Sequence, residues 1–355
     1  MAGTKARSHE GTKGPEPEEG AAAQSVTSCL RASVPSCLRL TDVGPRDGLQ
    51  NEKTLVPVEA KVAYVNALSA AGVAEIEVSS FVSPKWVPQL ADAAEVFARI
   101  ERRPGVVYSA LVPNEKGLEG AIAAKADKIA VFTAASETFS QRNTNATIAE
   151  TIDRFRPVVA TAKQHKLPVR GYISTIVQCP FEGPIAPEQV RRVAELLLEI
   201  GVDEIDLGET LGVAAPPEIE RLYDGLAGLL EPNQTTLHLH DTFGRGLACA
   251  YRAMQLGVTS FDASCGGTGG CPYAPGAAGN LATEDLVSLA DRMGIATGVD
   301  LSKLLDAATL IARALGRDPA SRVLTGERPP RLRAIATAGR ALPERPRGVL
   351  DNPRA

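Results

Sequence analysis

No run of apolar residues in this sequence approaches the roughly 20 that a membrane-spanning helix needs, which excludes a helical membrane protein. There is no basic excess either. Lys and Arg number 38 against 42 Asp and Glu, a net charge of -4, so the basic surface of a nucleic-acid-binding protein is not expected. The six cysteines, Cys29, Cys37, Cys179, Cys249, Cys265 and Cys271, contain no C-x-x-C spacing, which argues against a structural zinc site. No secretory signal precedes them, and they are expected to be reduced thiols in a cytoplasmic protein. No G-x-G-x-x-G follows the first β-rich run, which disfavours a dinucleotide-binding open sheet. Histidine is confined to His9, His165, His238 and His240.

What is present is ordinary globular composition: 355 residues, 44% hydrophobic and 23% charged. That length allows two domains or one large α/β barrel. Residues 1–36 are rich in Gly, Pro, Glu, Ser and Thr and hold too few large apolar residues to fold, so a disordered tail is expected. Glu10, Glu16, Glu18 and Glu19 argue against a mitochondrial presequence there. Residues 324–355, rich in Pro and Arg, read as a second tail. Between them, residues 37–323 alternate β-rich and helical patterns. The β-rich runs are 38–43, 75–79, 106–112, 128–132, 169–174, 204–207, 236–240 and 260–263. Helical stretches such as "VEAKVAYVNALSAAG" and "PEQVRRVAELLLEIG" separate them, several closing on a glycine: Gly72, Gly201 and Gly257. Eight strand–helix units predict a (β/α)8 TIM barrel, in which chemistry collects at the carboxyl ends of the strands.

The strand ends carry a polar ring. After strand one, "GPRDG" sets Arg46 beside Asp47 on a tight turn. Gly44 and Pro45 stop the strand, and Gly48 is expected to supply backbone angles that other residues avoid. Strand two carries Glu77, with Ser79 and Ser80 after it; strand five carries Tyr172 and Ser174; strand six ends in Glu209 and Thr210. Strand seven carries "HLHD". Its His238 and His240 project to one face, because side chains along a strand alternate with period two, and together they can reach one metal ion. Asp47 and Asn280 are the obvious further ligands. A nitrogen and oxygen set without thiolate suits Mg2+ or Mn2+ better than a structural zinc, and leaves Zn2+ and Co2+ open. Cys271 sits in a glycine-rich loop able to close over a ligand, where a thiol could exchange a proton. Arg46 could meet negative charge developing beside the ion.

"VGPRDGLQNEK", "SSFVSPKWVPQLAD", "AASETFSQRN", "RGYIS" with "CPFEG", "HLHDTFG" and "GGCPYAPGAAGNLATEDLV" together resemble the 3-hydroxy-3-methylglutaryl-CoA lyase family. The resemblance runs from about Leu38 to about Val323. It implies a metal-assisted retro-Claisen cleavage of hydroxymethylglutaryl-CoA to acetyl-CoA and acetoacetate, a step of leucine degradation. It also implies Asp47, His238, His240 and Asn280 as metal ligands, Arg46 as the group that polarises the thioester, and Cys271 as the catalytic thiol. Glu77 and Glu209 would be further catalytic acids, with Ser80, Tyr172, Ser174, Thr210 and Glu284 around an acyl-CoA substrate. Outer helices of such barrels often pack on one another, which makes a homodimer plausible. The chain departs from the family at Glu209, where Asp is usual, at Pro275, where Lys is common, and at Cys265, usually apolar. These changes bear on the acyl group more than on the reaction type. Competing readings are a lyase for another 3-hydroxyacyl-CoA, a condensing synthase of the same superfamily, and a non-catalytic acyl-CoA-binding scaffold. A synthase usually carries a long additional C-terminal region, and a scaffold has no reason to keep a metal set.

Overall fold

Each of the eight β-rich runs becomes a strand of one closed sheet. The computed structural model describes residues 34–270 and 279–327, together with Met1 and Gly3. The chain divides into two units, Met1–Ser33 and Val34–Ala355, and the barrel lies in the second. Its strands are β1 (Arg39–Asp42), β2 (Glu75–Ser80), β3 (Val107–Leu111), β4 (Lys128–Ala134), β5 (Val169–Ser174), β6 (Glu204–Glu209), β7 (Thr235–Leu239) and β8 (Ser260–Ala263). Neighbours in sequence are neighbours in space, all parallel, and β8 closes on β1 with Arg39 opposite Ser260. The expected barrel is therefore present. One boundary shift matters for the site: β7 ends at Leu239, which leaves His240 just beyond the strand, bridged to Asn280.

Helices cover the outside: α1 (Val58–Ala71), α2 (Ala93–Arg99), α3 (Glu115–Ala123), α4 (Glu137–Thr144), α5 (Ile148–Gln164), α6 (Pro187–Glu199), α7 (Pro216–Leu226), α8 (Gly246–Leu256), α9 (Thr283–Arg292), α10 (Leu301–Leu315) and α11 (Arg322–Glu327). Their ends follow local chemistry. Thr147 and Glu150 form a reciprocal capping box at the start of α5. Gly72 and Gly257 close α1 and α8 at φ +89° and +101°, a left-handed geometry that costs a β-carbon residue energy.

Alternation along the strands sorts the side chains. Leu40, Ile76, Val78, Ile129, Val131, Ile205, Leu207, Leu237 and Phe261 pack in the main apolar core with the helices. The inward positions are different. Barrels of this kind usually fill their interior with branched apolar residues; here the lower interior is ionic. Arg170, fully buried, donates to Asp262 Oδ1 at 3.0 Å, to Thr41 Oγ1 at 3.2 Å and to Glu75 Oε2 at 3.4 Å, and lies 2.7 Å from Glu204. Lys128 pairs with both Glu75 and Glu204. Burial alone would raise the Glu204 carboxyl, but the two cations hold it down at about 2.

A buried ion network is stable only while complete, because each removed partner leaves an uncompensated charge. Arg170→Met is expected to cost roughly 3–5 kcal/mol of unfolding free energy by urea denaturation. A loss below about 1 kcal/mol would mean that the network is not what holds the inner faces of these strands together.

Candidate active site

Gly44–Gly48 forms a single π-type turn immediately after β1. It can sit this deep because both glycines lack a β-carbon: one added at Gly44 would collide with Tyr64 Oη, and one at Gly48 with Thr268 Oγ1. Gly48 is thus needed for close approach. Its φ is not left-handed, and the expectation of a special backbone angle there is corrected.

The turn delivers Arg46 and Asp47 to the mouth of the barrel. Arg46, 6% exposed, donates through Nε to Glu77 Oε2 at 2.6 Å and through Nη1 to Asp47 Oδ1 at 2.7 Å. Its guanidinium carbon stands 5.4 Å from the centre of the Tyr172 ring. Burial pulls the guanidinium pKa down, but Glu77 and Asp47 outweigh that and hold it above its ordinary value. Ligand atoms of Asp47, His238 and His240 lie within 4.8 Å of one another. Asn280 Nδ2 donates to Asp47 Oδ2 at 2.9 Å and to the Thr268 carbonyl at 3.1 Å. Burial would raise Asp47, yet Arg46, both histidines and the Asn280 amide hold it below the usual carboxylate range. Glu77 moves the other way: burial raises it, against the pull of Arg46.

This donor set fits a divalent cation. It combines two imidazoles, an ionised carboxylate and an amide oxygen, and Asn280 Oδ1 is buried with no hydrogen-bond partner among the described residues. A second group, Asp206, His238 and Asp262, is equally tight. There the cation is already supplied, since Arg170 lies 3.0 Å from Asp262 and 3.6 Å from Asp206.

The remaining expected residues divide. Tyr172 forms the floor, its hydroxyl donating to Asp262 Oδ2 at 3.2 Å. Ser80 is buried at the end of β2, its Oγ unpartnered among the described residues, and Ser174 is half-buried at the end of β5. Thr210 accepts from Thr175 N at 2.8 Å, where Thr175 holds a strained φ of +61°. Glu209 does not join them. It alternates with Asp206 and Gly208 along β6, so it faces away from the barrel axis. It accepts from Val213 N at 3.3 Å, and burial raises its carboxyl to about 7. Glu284 is also apart, fully buried behind the turn at Cys265–Gly267, with its oxygens 3.0 and 3.1 Å from Gly266 N. Cys271 lies outside the described residues. Cys179 lies against Ser136 at 3.0 Å, and Cys265 donates to the Leu304 carbonyl at 3.5 Å within the barrel wall.

Sequence reasoning passed over Arg170, Asp206 and Asp262. The available signal was a charge at an inward position inside an apolar strand, as in "SFDA" and "EIDL". It also missed an apolar wall, Leu111, Ala130 and Phe132 beside Tyr172, on β3–β5 and so across the barrel from β7, β8 and β1.

A family model described as HMGL-like matches residues 37–311. A protein of Rattus norvegicus named 3-hydroxy-3-methylglutaryl-CoA lyase, cytoplasmic, is 46% identical over 292 residues, which is 82% of this chain and 85% of that protein. One of Pseudomonas aeruginosa, named 3-hydroxy-3-isohexenylglutaryl-CoA/hydroxy-methylglutaryl-CoA lyase, is 49% identical over 290 residues, 82% of this chain and 97% of the relative. The crystal structure of a Bacillus subtilis HMG-CoA lyase superposes with a TM-score of 0.81 at 44% identity, covering 82% of this chain and 98% of that one. An Acinetobacter baumannii HMG-CoA lyase, solved with coenzyme A and 3-methylmalate, gives 0.79 at 39% identity over 83% of this chain and 96% of its own.

Burial raises Glu284 to about 8 and Asp42, beside it in the same wall, to about 7. Between the ordinary carboxylate range and these values the folded chain holds protons that the unfolded chain has released. Stability therefore falls as pH rises from about 5 to about 8. In denaturation series over that range, Glu284→Gln should lower the slope by about one proton. An unchanged slope would show that Glu284 does not carry its proton in the folded state.

Proposed function

The chain belongs to the HMGL-like family, and we propose that it is a carbon–carbon lyase splitting 3-hydroxy-3-methylglutaryl-CoA into acetyl-CoA and acetoacetate. The observation that carries this reading is the position of Arg46. It is wedged between Glu77 and Asp47, over Tyr172, and Asp47 belongs at once to the group it makes with His238 and His240.

Asp47, His238, His240 and Asn280 would hold a divalent cation, Mg2+ or Mn2+. Such an ion supplies Lewis acidity, lowering the pKa of a substrate hydroxyl chelated to it. The protein does the rest. The hydroxyl proton passes to a base of the site, Asp47, Glu77 or, through water, Cys271; the electron pair left on oxygen forms the new carbonyl, the adjacent C–C bond breaks, and charge moves to the thioester oxygen. Arg46, held in place by Glu77, meets that charge without reorganising. Cys271, in the role the family resemblance implies, gives the new acyl carbon its proton. Ser80, Ser174 and Thr210 supply polar contacts for the substrate head, with Tyr172 beneath. Glu209 and Glu284 support the loops behind the site and do not touch substrate.

A longer branch on C3 is the second reading. Two findings favour it: the name of the Pseudomonas relative, which includes an isohexenylglutaryl thioester, and the apolar wall of Leu111, Ala130 and Phe132. The proposal places the enzyme in the cytoplasm, as a homodimer. No described helix is long and apolar enough to cross a membrane, and relatives carry both cytoplasmic and mitochondrial names.

Purified protein with Mg2+ or Mn2+ should release acetoacetate from hydroxymethylglutaryl-CoA, and chelator should abolish the release. Arg46→Gln is expected to lower kcat by about 10²–10³, and Cys271→Ala should do so without loss of metal. Bound metal with no cleavage would redirect the search to another acyl thioester. Absence of both would sink the lyase reading.

A further inference from the structure

We propose that Asp262 is a positioning residue: it fixes the His238 ring so that Nδ1 carries the proton and Nε2 keeps the free lone pair. The inference rests on the cation site of the proposed reading, but its geometry is independent of any ion. Asp262 and His238 are paired residues of the neighbouring strands β8 and β7, both at inward positions. Their register puts Asp262 Oδ2 3.4 Å from His238 Nδ1.

Asp262 itself has little freedom. It is 1% exposed. Arg170 holds Oδ1 at 3.0 Å, and the Tyr172 hydroxyl donates to Oδ2 at 3.2 Å. The Tyr172 ring meets the His238 ring edge-on, with centroids 6.5 Å apart. Arg170 cannot swing away, because Thr41, Glu75 and Glu204 engage the same guanidinium. A carboxylate so anchored is an acceptor of fixed direction. An imidazole has two ring nitrogens, so an acceptor at Nδ1 assigns the lone pair to Nε2. His240 lies beyond, its ring centre 5.4 Å from that of His238. A carboxylate behind a ligating histidine is a common way to set ring orientation and raise ligand strength. Here that carboxylate is also the point where the ionic interior of the barrel reaches the active site.

The test reads His238 directly. In full-length protein labelled with 15N-histidine, without metal and at about pH 9, above the imidazole range, His238 should carry its proton on Nδ1. Asp262→Asn should shift the population toward the Nε2–H tautomer. The same variant should weaken Mn2+ binding by about 10–100-fold, measured by calorimetry on protein whose fold is checked by circular dichroism. Tyr172→Phe, which removes only one contact to Asp262, should change it by less than about threefold. Two results would overturn the proposal: a wild-type His238 protonated on Nε2, or a folded Asp262→Asn protein binding Mn2+ within twofold of wild type. If Asp262→Asn does not fold, the wild-type tautomer decides alone. If wild-type protein binds no Mn2+, the cation reading fails, and the tautomer still confirms or refutes the role of Asp262.

Discussion

A single guanidinium ties the barrel together from within. Arg170 on β5 reaches Glu75 on β2, Glu204 on β6 and Asp262 on β8. Charges closed off from water must be paired, and pairing fixes distances. An apolar interior would tolerate repacking; an ionic one specifies which strands stand opposite which. In the same sheet β8 registers with β7 so that Asp262 stands beside His238, and Arg170 holds Asp262 there.

Above that layer the site is divided. On the side of β1, β7 and the return at Asn280 stand Asp47 and the two histidines; Arg46 leans from β1 toward Glu77 on β2 and over Tyr172 on β5. Across the barrel stand Leu111, Ala130 and Phe132. A branched, multiply oxygenated thioester has the same division, with its oxygens near one another and its alkyl group elsewhere. In the proposed function, two walls of opposite polarity would orient such a substrate before any bond is broken.

The same physics explains why some expectations held and others did not. The eight strands were readable because each needed a β-rich run and each helix a stop, and both signals are local. The pair at His238 and His240 was readable because extended backbone with period two continues one residue past the end of β7, where His240 bridges to Asn280. Glu209 shows the limit. The same alternation, counted from Asp206, turns it outward, but only the observed extension of β6 to Glu209 shows that the alternation persists that far. Glu284 was expected at substrate because it follows Asn280 closely; the polypeptide turns between them, and its carboxylate meets Gly266 N instead. Gly48 has the composition of a backbone-angle residue, but its reason is a neighbour 220 positions away, Thr268.

The sequence by itself determined the elements, the strand-end location of the chemistry, and the types of residue that hold it, because propensity, alternation and side-chain chemistry are carried by a few adjacent positions. Only the tertiary structure decided which charges meet. Arg170, Glu75, Glu204 and Asp262 are scattered over 188 positions, 75 to 262, and nothing local in any of them names its partner. Closure of the sheet brings them within 3.4 Å, where loss of water makes each pairing obligatory.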